Sequence, residues 1–285
     1  MEVSLSNGET LFYQKKNGGE DILLLLHGNL ASSDQWDLLI EQLPSNYTIY
    51  APDLRGYGKS TYNKPIKTFN DFATDIKLFC DELNLTTFHL MGWSNGGGVA
   101  MQFAANYPTR VDKLILLASM STRGYPAYNP DGERLQSREK IASDPMINRM
   151  LHAQTKGEKT FFEAAMNHLV YPINKPEKER FEKYVEGALQ QQNVIDVADA
   201  ANRFNISSVS NGIIEGTRNL KNIVSPVLVL RGKHDLMVSE TMTLEIVNDM
   251  KEHDIHVIYK VLNAGHSPLV DDINNTIVEI NQFLL

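Results

Sequence analysis

Cysteine is nearly absent from this chain of 285 residues, which contains a single thiol at Cys80. One thiol cannot form an intrachain disulfide, and it has no second thiol with which to build a structural zinc site. We therefore interpret Cys80 as a small buried apolar side chain without a functional role. No metal site is predicted.

Positive charge is also in short supply. The chain has 27 Lys and Arg residues against 35 Asp and Glu residues, and its net charge is −8. The basic residues are scattered and never form a run of five or more. Nucleic acids and anionic membranes attract concentrated positive charge, so we exclude both as partners.

Long hydrophobic runs are missing as well. The segment ILLLL at 22–26 is the longest apolar run near the N-terminus, far short of the roughly 20 residues that cross a bilayer as a helix. The first ten residues have neither the basic start nor the cleavage site of a signal peptide. We expect a cytoplasmic protein, and the sequence does not indicate its oligomeric state.

The chain does contain a regular alternation of strand-like and helix-like segments. The pair Asn7-Gly8 between two short alternating stretches predicts a hairpin with a two-residue primed turn. The apolar run at 22–26 is typical of a strand buried on both faces of a parallel sheet. Strands and helices then take turns as far as Ser119, and the alternation resumes at SPVLVLRGKHD, residues 225–235.

The segment 121–222 breaks this rhythm, because it is polar and helical and has no convincing buried strand. We therefore predict an α/β fold with a mostly parallel central sheet flanked by helices. The core domain comprises residues 1–120 and 223–285. A helical cap, residues 121–222, is inserted after the sixth strand.

The motif GWSNGGG at 92–98 lies where a predicted strand meets a predicted helix. In a G-x-S-x-G pattern at such a junction, the serine occupies a sharp turn that exposes its hydroxyl, and larger residues at Gly92 and Gly96 would collide. We predict Ser94 as a nucleophile. The backbone N–H of Asn95, which begins the helix, points to where a tetrahedral oxyanion would form.

A serine hydroxyl needs a base, and the base needs an orienting acid. Asp235 follows the seventh predicted strand in RGKHD, and His266 follows the eighth in LNAGHSP. Open parallel sheets build their sites at the carboxyl ends of strands, so we predict that both residues reach Ser94. His234 is excluded as the base because consecutive residues cannot easily serve as base and orienter.

The third predicted strand ends in LLHGN, and we assign roles to the last three residues of this motif. Gly28 lets the backbone N–H of Asn29 approach the oxyanion as a second donor. His27 lacks an acid partner, so we interpret it as a residue that organises the loop. The motif PDLRGYGKS at 52–60 is assigned to the scaffold.

Five motifs, HGN, DLRGYGKS, GWSNGG, GKHD and AGHSP, occur in this order and spacing. Together they resemble the α/β-hydrolase fold superfamily, in particular its small cofactor-free esterases, lactonases, C–C bond hydrolases and perhydrolases. The resemblance covers residues 3–120 and 223–285. Epoxide hydrolases and haloalkane dehalogenases carry Asp as the nucleophile, so Ser94 argues against both.

The resemblance implies a Ser94–Asp235–His266 triad, an oxyanion hole built from the Asn29 and Asn95 amides, and no cofactor. We accordingly predict a serine hydrolase that cleaves a small soluble carboxylic ester through an acyl-enzyme. A lactonase or a C–C bond hydrolase would share every motif, and a small-molecule receptor with slow or no turnover is an alternative of another class. Cap residues that either line the substrate pocket or pack the cap helices are Tyr125, Tyr128, Phe161, Phe162 and Met166.

Overall fold

The computed structural model describes all residues from 1 to 285. Strand β3 (Asp21–Leu26) shows how an uninterrupted apolar run forms the centre of a sheet. Leu23 and Leu25 pack into one hydrophobic layer, and Leu24 and Leu26 pack into the layer on the opposite face. All four leucines are fully buried, as expected of a strand that helices cover on both sides.

Eight strands form one sheet in the order β1-β2-β4-β3-β5-β6-β7-β8. Both pairings of β2, with β1 and with β4, are antiparallel, and all the others are parallel. The mostly parallel sheet predicted from the sequence is therefore confirmed. The remaining strands are β1 (Glu2–Ser4), β2 (Thr10–Lys16), β4 (Tyr47–Pro52), β5 (Phe88–Trp93), β6 (Val111–Leu117), β7 (Val227–Gly232) and β8 (Val257–Leu262).

The hairpin between β1 and β2 differs from the prediction in its turn. The N–H of Leu5 donates to the carbonyl oxygen of Glu9 at 2.7 Å, which leaves three residues in the loop rather than two. Positive φ occurs at Gly8 (92°) but not at Asn7. A three-residue loop that ends in a left-handed glycine is the next most common hairpin connection, so the predicted two-residue primed turn was wrong.

Eleven α-helices accompany the sheet, and no helix is long and apolar enough to cross a bilayer. They are α1 (Asp37–Gln42), α2 (Phe69–Glu82), α3 (Asn95–Asn106), α4 (Arg138–Ala142), α5 (Pro145–Lys156), α6 (Lys159–Leu169), α7 (Lys178–Gln190), α8 (Val194–Arg203), α9 (Glu240–Glu252), α10 (Pro268–Asp271) and α11 (Ile273–Leu284).

Helices α4 to α8 all lie between β6 and β7. Seven buried residues of this segment, among them Phe162, Tyr171 and Tyr184, form a small hydrophobic cluster of their own. Val197 and Ala201 of α8 instead join the main core beside α2 and α3. The inserted segment is thus stabilised partly by its own contacts and partly by the sheet domain.

Strands β3, β5, β7 and β8 are parallel members of the sheet, so their carboxyl ends lie along the same edge. The segments that follow these four ends contain Asn29, Ser94, Asp235 and His266 respectively. The topology therefore brings together residues that are up to 237 positions apart in the sequence, counted from Asn29 to His266.

Candidate active site

Ser94 occupies the turn between β5 and α3 with a left-handed backbone, at φ 56° and ψ −121°. A non-glycine residue in this region stores strain on the order of 1–3 kcal/mol, which the surrounding structure must hold in place. A side chain on Gly92 would overlap the carbonyl oxygen of Gly96, and one on Gly96 would overlap that of Leu26. The two glycines thus allow the close packing that keeps Ser94 in this turn.

The hydroxyl of Ser94 faces the ring of His266. The distance from Ser94 Oγ to His266 Nε2 is 3.0 Å. On the other side of the ring, His266 Nδ1 lies 2.9 Å from Asp235 Oδ2 and 3.1 Å from Asp235 Oδ1. The structure therefore brings the three residues into one hydrogen-bonded chain, with the carboxylate on the far side of the imidazole from the serine.

Backbone contacts fix both partners of the serine. Asp235 Oδ1 accepts the N–H groups of Met237 at 2.8 Å and Val238 at 2.9 Å, so the carboxylate is held by its own turn. The indole N–H of Trp93 donates to the carbonyl oxygen of His266 at 2.8 Å. His266 is 3% exposed and Asp235 is 9% exposed, so little water reaches the chain of hydrogen bonds.

Asn29 and Asn95 both lie on the wall of the cavity that contains Ser94. The backbone N–H of Asn29 donates to no acceptor within the protein. Gly28 brings this loop so near to the serine that an added Cβ would lie 2.9 Å from Ser94 Cβ. An unpaired N–H next to a nucleophile can bind an oxyanion.

His27 is fully buried and joins two loops. Its Nδ1 lies 2.8 Å from the carbonyl oxygen of Gly28, and its Nε2 accepts the N–H of Leu54 at 3.0 Å. A carbonyl can only accept and an N–H can only donate, so the ring is neutral with its proton on Nδ1. Burial, opposed by the nearby Asp53, lowers the pKa of His27, which agrees with the loop-organising role inferred from the sequence.

No histidine other than His266 and no residue of the 52–60 loop lines the cavity that contains Ser94. His234 is exposed, with its Nε2 3.3 Å from Asn263 Oδ1. In the loop after β4, Asp53 accepts the N–H groups of Ser33 and Lys59, at 2.7 Å and 2.9 Å, which is a structural use of the carboxylate. No cluster of three or more His, Cys, Asp or Glu side chains is arranged as a metal site.

A cavity of about 340 Å³ opens above Ser94 and is lined mainly by apolar side chains. Four of the five inserted-segment residues singled out in the sequence lie on its wall, namely Tyr125, Tyr128, Phe162 and Met166. Tyr128 and Met146 also line the cavity but are 56% and 61% exposed. These two residues therefore mark where the cavity meets solvent.

Phe161 does not line the cavity, so this part of the prediction is corrected. The guanidinium of Arg149 lies over the ring of Phe161, with Cζ 4.5 Å from the ring centroid. The ring of Phe161 also makes an edge contact with that of Phe162. The side of α6 that faces the cavity presents Phe162, Ala165, Met166 and Leu169, and Phe161 lies outside this stripe.

Most residues of the apolar cavity wall were not predicted from the sequence. Within α6 a signal was present, because Phe162, Ala165, Met166 and Leu169 recur at the helical spacing i, i+3, i+4 and i+7. Residues outside α6 gave no comparable local signal. Those that line the cavity without having been predicted include Leu30, Gln35, Trp93, Leu135, Ile141, Asp144, Ile147, Val170, Ala198 and Met237.

Comparison with known proteins places this arrangement in a family. A model of the alpha/beta hydrolase fold matches residues 21–272. Pimeloyl-[acyl-carrier protein] methyl ester esterase from Salmonella agona is 26% identical over 269 residues, which are 91% of this chain and 92% of that protein. The dihydrolipoyllysine-residue acetyltransferase component of the acetoin cleaving system of Cupriavidus necator is 34% identical over 112 residues, but these are only 39% of this chain and 30% of that protein.

Solved structures agree on the fold. The enol-lactonase from Burkholderia xenovorans superimposes with a TM-score of 0.75 at 16% identity, over 100% of this chain and 99% of that chain. The esterase from Exiguobacterium antarcticum gives a TM-score of 0.76 at 17% identity, over 100% and 98% of the respective chains. The match of the family model spans most of the sequence and includes Ser94 and His266, and the resemblance seen in the motifs is confirmed. The chain belongs to the α/β-hydrolase fold family.

Proposed function

We propose that this hydrolase cleaves small carboxylic esters, with Ser94 as the nucleophile, His266 as the base and Asp235 as the residue that orients the base. The single observation that carries the proposal is the hydrogen-bonded chain from Ser94 Oγ through both nitrogens of His266 to Asp235. Nucleophile, base and orienting acid within hydrogen-bond reach are the signature of covalent acyl transfer.

The reaction follows from these contacts. His266 Nε2 takes the proton of Ser94 while Oγ attacks the ester carbonyl, and Asp235 stabilises the imidazolium at Nδ1. The backbone N–H groups of Asn29 and Asn95 bind the negative oxygen of the tetrahedral intermediate. The intermediate collapses and expels the alcohol, which receives the proton from His266. Water, deprotonated by His266, then attacks the acyl-enzyme and releases the acid.

The cavity supports an uncharged and rather small substrate. Its wall is mostly apolar, and neither Lys nor Arg is among the residues that line it. A volume of about 340 Å³ is at the lower end of the range for small-molecule sites. The methyl ester esterase of Salmonella agona, a relative over nearly its whole length, also supports ester cleavage.

We further propose that residues 121–222 act as a cap over the nucleophile. Residues of four of the inserted helices, including Ile141, Ile147, Phe162 and Ala198, share one cavity wall with Ser94. A cover of this kind shields the reacting ester from bulk water.

Replacement of the nucleophile tests the proposal. Ser94→Ala is expected to lower turnover of p-nitrophenyl butyrate by about a million-fold, because only the covalent step is lost. Ser143→Ala is the matched control, since Ser143 is exposed and lies outside the cavity. Mass spectrometry of the wild type after rapid acid quenching should show an added acyl group on Ser94. Equal turnover by the two variants would remove Ser94 from the mechanism.

The hydrolysis assay should be repeated with a lactone and with a vinylogous diketone. Both can be cleaved with the same triad, so the ratio of kcat/KM values decides which bond the site prefers. A receptor would instead bind one equivalent of ligand and release product far more slowly than it binds.

A further inference from the structure

Gln191 is a buried residue of the inserted segment that contacts the loop bearing Asn29. It is 4% exposed and lies in the turn between α7 and α8. Its Nε2 donates to Asn29 Oδ1 at 2.8 Å, and its Oε1 accepts the N–H of Leu30 at 2.9 Å. One side chain thus binds two consecutive residues of the loop that follows β3.

The orientation of this amide is unambiguous. The N–H of Leu30 can only donate, so the group that faces it must be the oxygen of Gln191. The second proton on Nε2 goes to Asn193 Oδ1 at 2.8 Å, and Asn193 Nδ2 in turn donates to the carbonyl oxygen of Arg55 at 2.7 Å. Every polar atom of the Gln191 side chain therefore has a partner inside the protein.

The loop that Gln191 binds has a backbone that needs support. Leu30 has a φ of 52°, a left-handed conformation that is uncommon for a leucine. Such a conformation persists only where neighbouring contacts hold it. The bond from Leu30 N–H to Gln191 fixes the peptide unit directly after Asn29, and Tyr57 Oη donates to Asn29 Oδ1 at 3.0 Å from another side.

Gln191 is in turn tied to the rest of the inserted segment. Gln154 of α5 donates through Nε2 to the carbonyl oxygens of Ala188 at 2.8 Å and Gln191 at 3.1 Å. A displacement of α5 or α7 would therefore be transmitted to the loop that bears Asn29.

We propose that Gln191 is a positioning residue through which the inserted segment sets the geometry of the oxyanion-binding amide of Asn29. The inference rests on the proposed function, because it assumes that the Asn29 N–H binds the oxyanion. An N–H held in place before the reaction stabilises the transition state more than the bound substrate. Loss of Gln191 should thus lower kcat rather than raise KM.

Gln191→Met tests this role, because methionine has a similar length but none of the hydrogen bonds. Gln192→Met is the matched control, since the neighbouring side chain is exposed and makes no hydrogen bond. For an ester that the wild type cleaves, we expect kcat of Gln191→Met to fall roughly ten- to a hundredfold, with KM within about threefold. Affinity for an alkylboronic acid, a tetrahedral mimic, should fall by the same factor as kcat/KM.

Asn29→Ala gives a second route if Gln191→Met does not fold. It keeps the backbone N–H of Asn29 but removes the acceptor of Gln191, so kcat should again fall while KM is maintained. In the double variant the combined loss should be smaller than the product of the two single losses, because both changes remove the bond between Gln191 Nε2 and Asn29 Oδ1.

Three results would overturn the inference. In the first, kcat of Gln191→Met equals that of Gln192→Met. In the second, Gln191→Met raises KM and leaves kcat unchanged. In the third, the losses of the two single variants multiply in the double variant. A failure of the proposed function looks different. In that case the wild type cleaves no ester, or Ser94→Ala keeps its activity, whatever happens at Gln191.

Discussion

The carboxylate of Asp235 accepts hydrogen bonds from its own turn and also contacts His266. Its Oδ1 accepts the N–H groups of Met237 and Val238, and both of its oxygens face His266 Nδ1. In Asp235→Asn the amide oxygen can still serve the turn, but the NH₂ group then faces Nδ1 and places the ring proton on Nε2. That tautomer cannot accept the proton of Ser94. We expect kcat to fall about 10⁴-fold with little change in Tm, as measured by ester turnover and thermal unfolding.

A change of less than about tenfold in kcat would contradict this account, since a wrong tautomer cannot be that active. Asp235→Ala is the useful comparison. It also removes the acceptor for Met237 and Val238, so a loss of Tm is expected there and not in Asp235→Asn.

Asp144 is the one carboxylate among the residues that line the cavity. It is buried and caps α5 by accepting the N–H groups of Met146 and Ile147. Asp144→Asn keeps the cap, because Asn caps helices as well as Asp does, but removes a negative charge from the wall. We expect kcat/KM for an ester with a free carboxylate on its acyl chain to rise roughly tenfold relative to a neutral ester.

The measurement is the ratio of kcat/KM for p-nitrophenyl hemisuccinate to that for p-nitrophenyl butyrate. An unchanged ratio in Asp144→Asn would show that the carboxylate serves only the helix. Wild-type preference for the charged ester would contradict the expectation outright.

Single residues differ in how far the sequence could reveal them. Ser94 and Asp235 follow the buried strands β5 and β7, and His266 follows the edge strand β8. Each lies in a motif whose backbone geometry is local, so their meeting could be predicted. Gln191 gave no signal, because it contacts Asn29 across 162 positions in the sequence. Contacts of that kind depend on how α7 and α8 pack, which no short pattern encodes.

At the level of elements, His27 connects the ends of β3 and β4. Its ring must be neutral to accept the N–H of Leu54, and burial lowers its pKa in the folded protein. The unfolded chain binds a proton at this position below pH of about 6.5. The free energy of unfolding should therefore be unaffected by His27 above this pH and should decline as the pH falls below it, by up to about 1.4 kcal/mol per unit.

Urea unfolding at pH 7.5, 6.5 and 5.5 measures this effect, with His27→Gln as the comparison. Glutamine can accept the same N–H but does not titrate, so the wild type should lose more free energy of unfolding than the variant between pH 6.5 and 5.5. Other titrating groups, including His89, are present in both proteins and cancel. Parallel declines would show that His27 is not the group responsible.

Elements were predicted more reliably than their connections. Periodicity and buried runs identified the strands of the sheet, because burial on both faces leaves a plain apolar signature in β3 and β5. The loop between β1 and β2 was predicted with two residues and has three. Asn7, in the middle of this loop, donates through Nδ2 to Asp75 Oδ1 at 2.7 Å, and no local pattern encodes a contact across 68 positions.

At the scale of the whole molecule, the volume of the cavity, about 340 Å³, limits the size of the substrate. Acyl chains that exceed its volume lose contact or clash with the wall. Activity on p-nitrophenyl esters should peak at about two to six acyl carbons and should not jump when the substrate forms an emulsion. A preference for about twelve carbons or more, with a rate increase at the lipid interface, would assign the protein to the lipases instead.

The fold class followed from the sequence because strands and helices alternate over most of the chain, and the sheet order confirms it. The way in which residues 121–222 pack against the sheet domain could not be predicted from the sequence. It depends on contacts between small side chains such as Ala201 and the main core, and on buried amides such as Gln191. These long-range contacts give no periodic signal in either partner.

The position of Trp93 makes its fluorescence a probe of the cavity. The chain contains two tryptophans, and Trp36 is fully buried away from the cavity. Trp93 lies on the cavity wall, with its ring centroid 5.6 Å from that of His266. In the proposed mechanism the charge of this imidazole changes during each turnover, so the fluorescence of Trp93 should change with it. If Ser94 is acylated as proposed, this native fluorophore would report the formation and the hydrolysis of the acyl-enzyme without any added label.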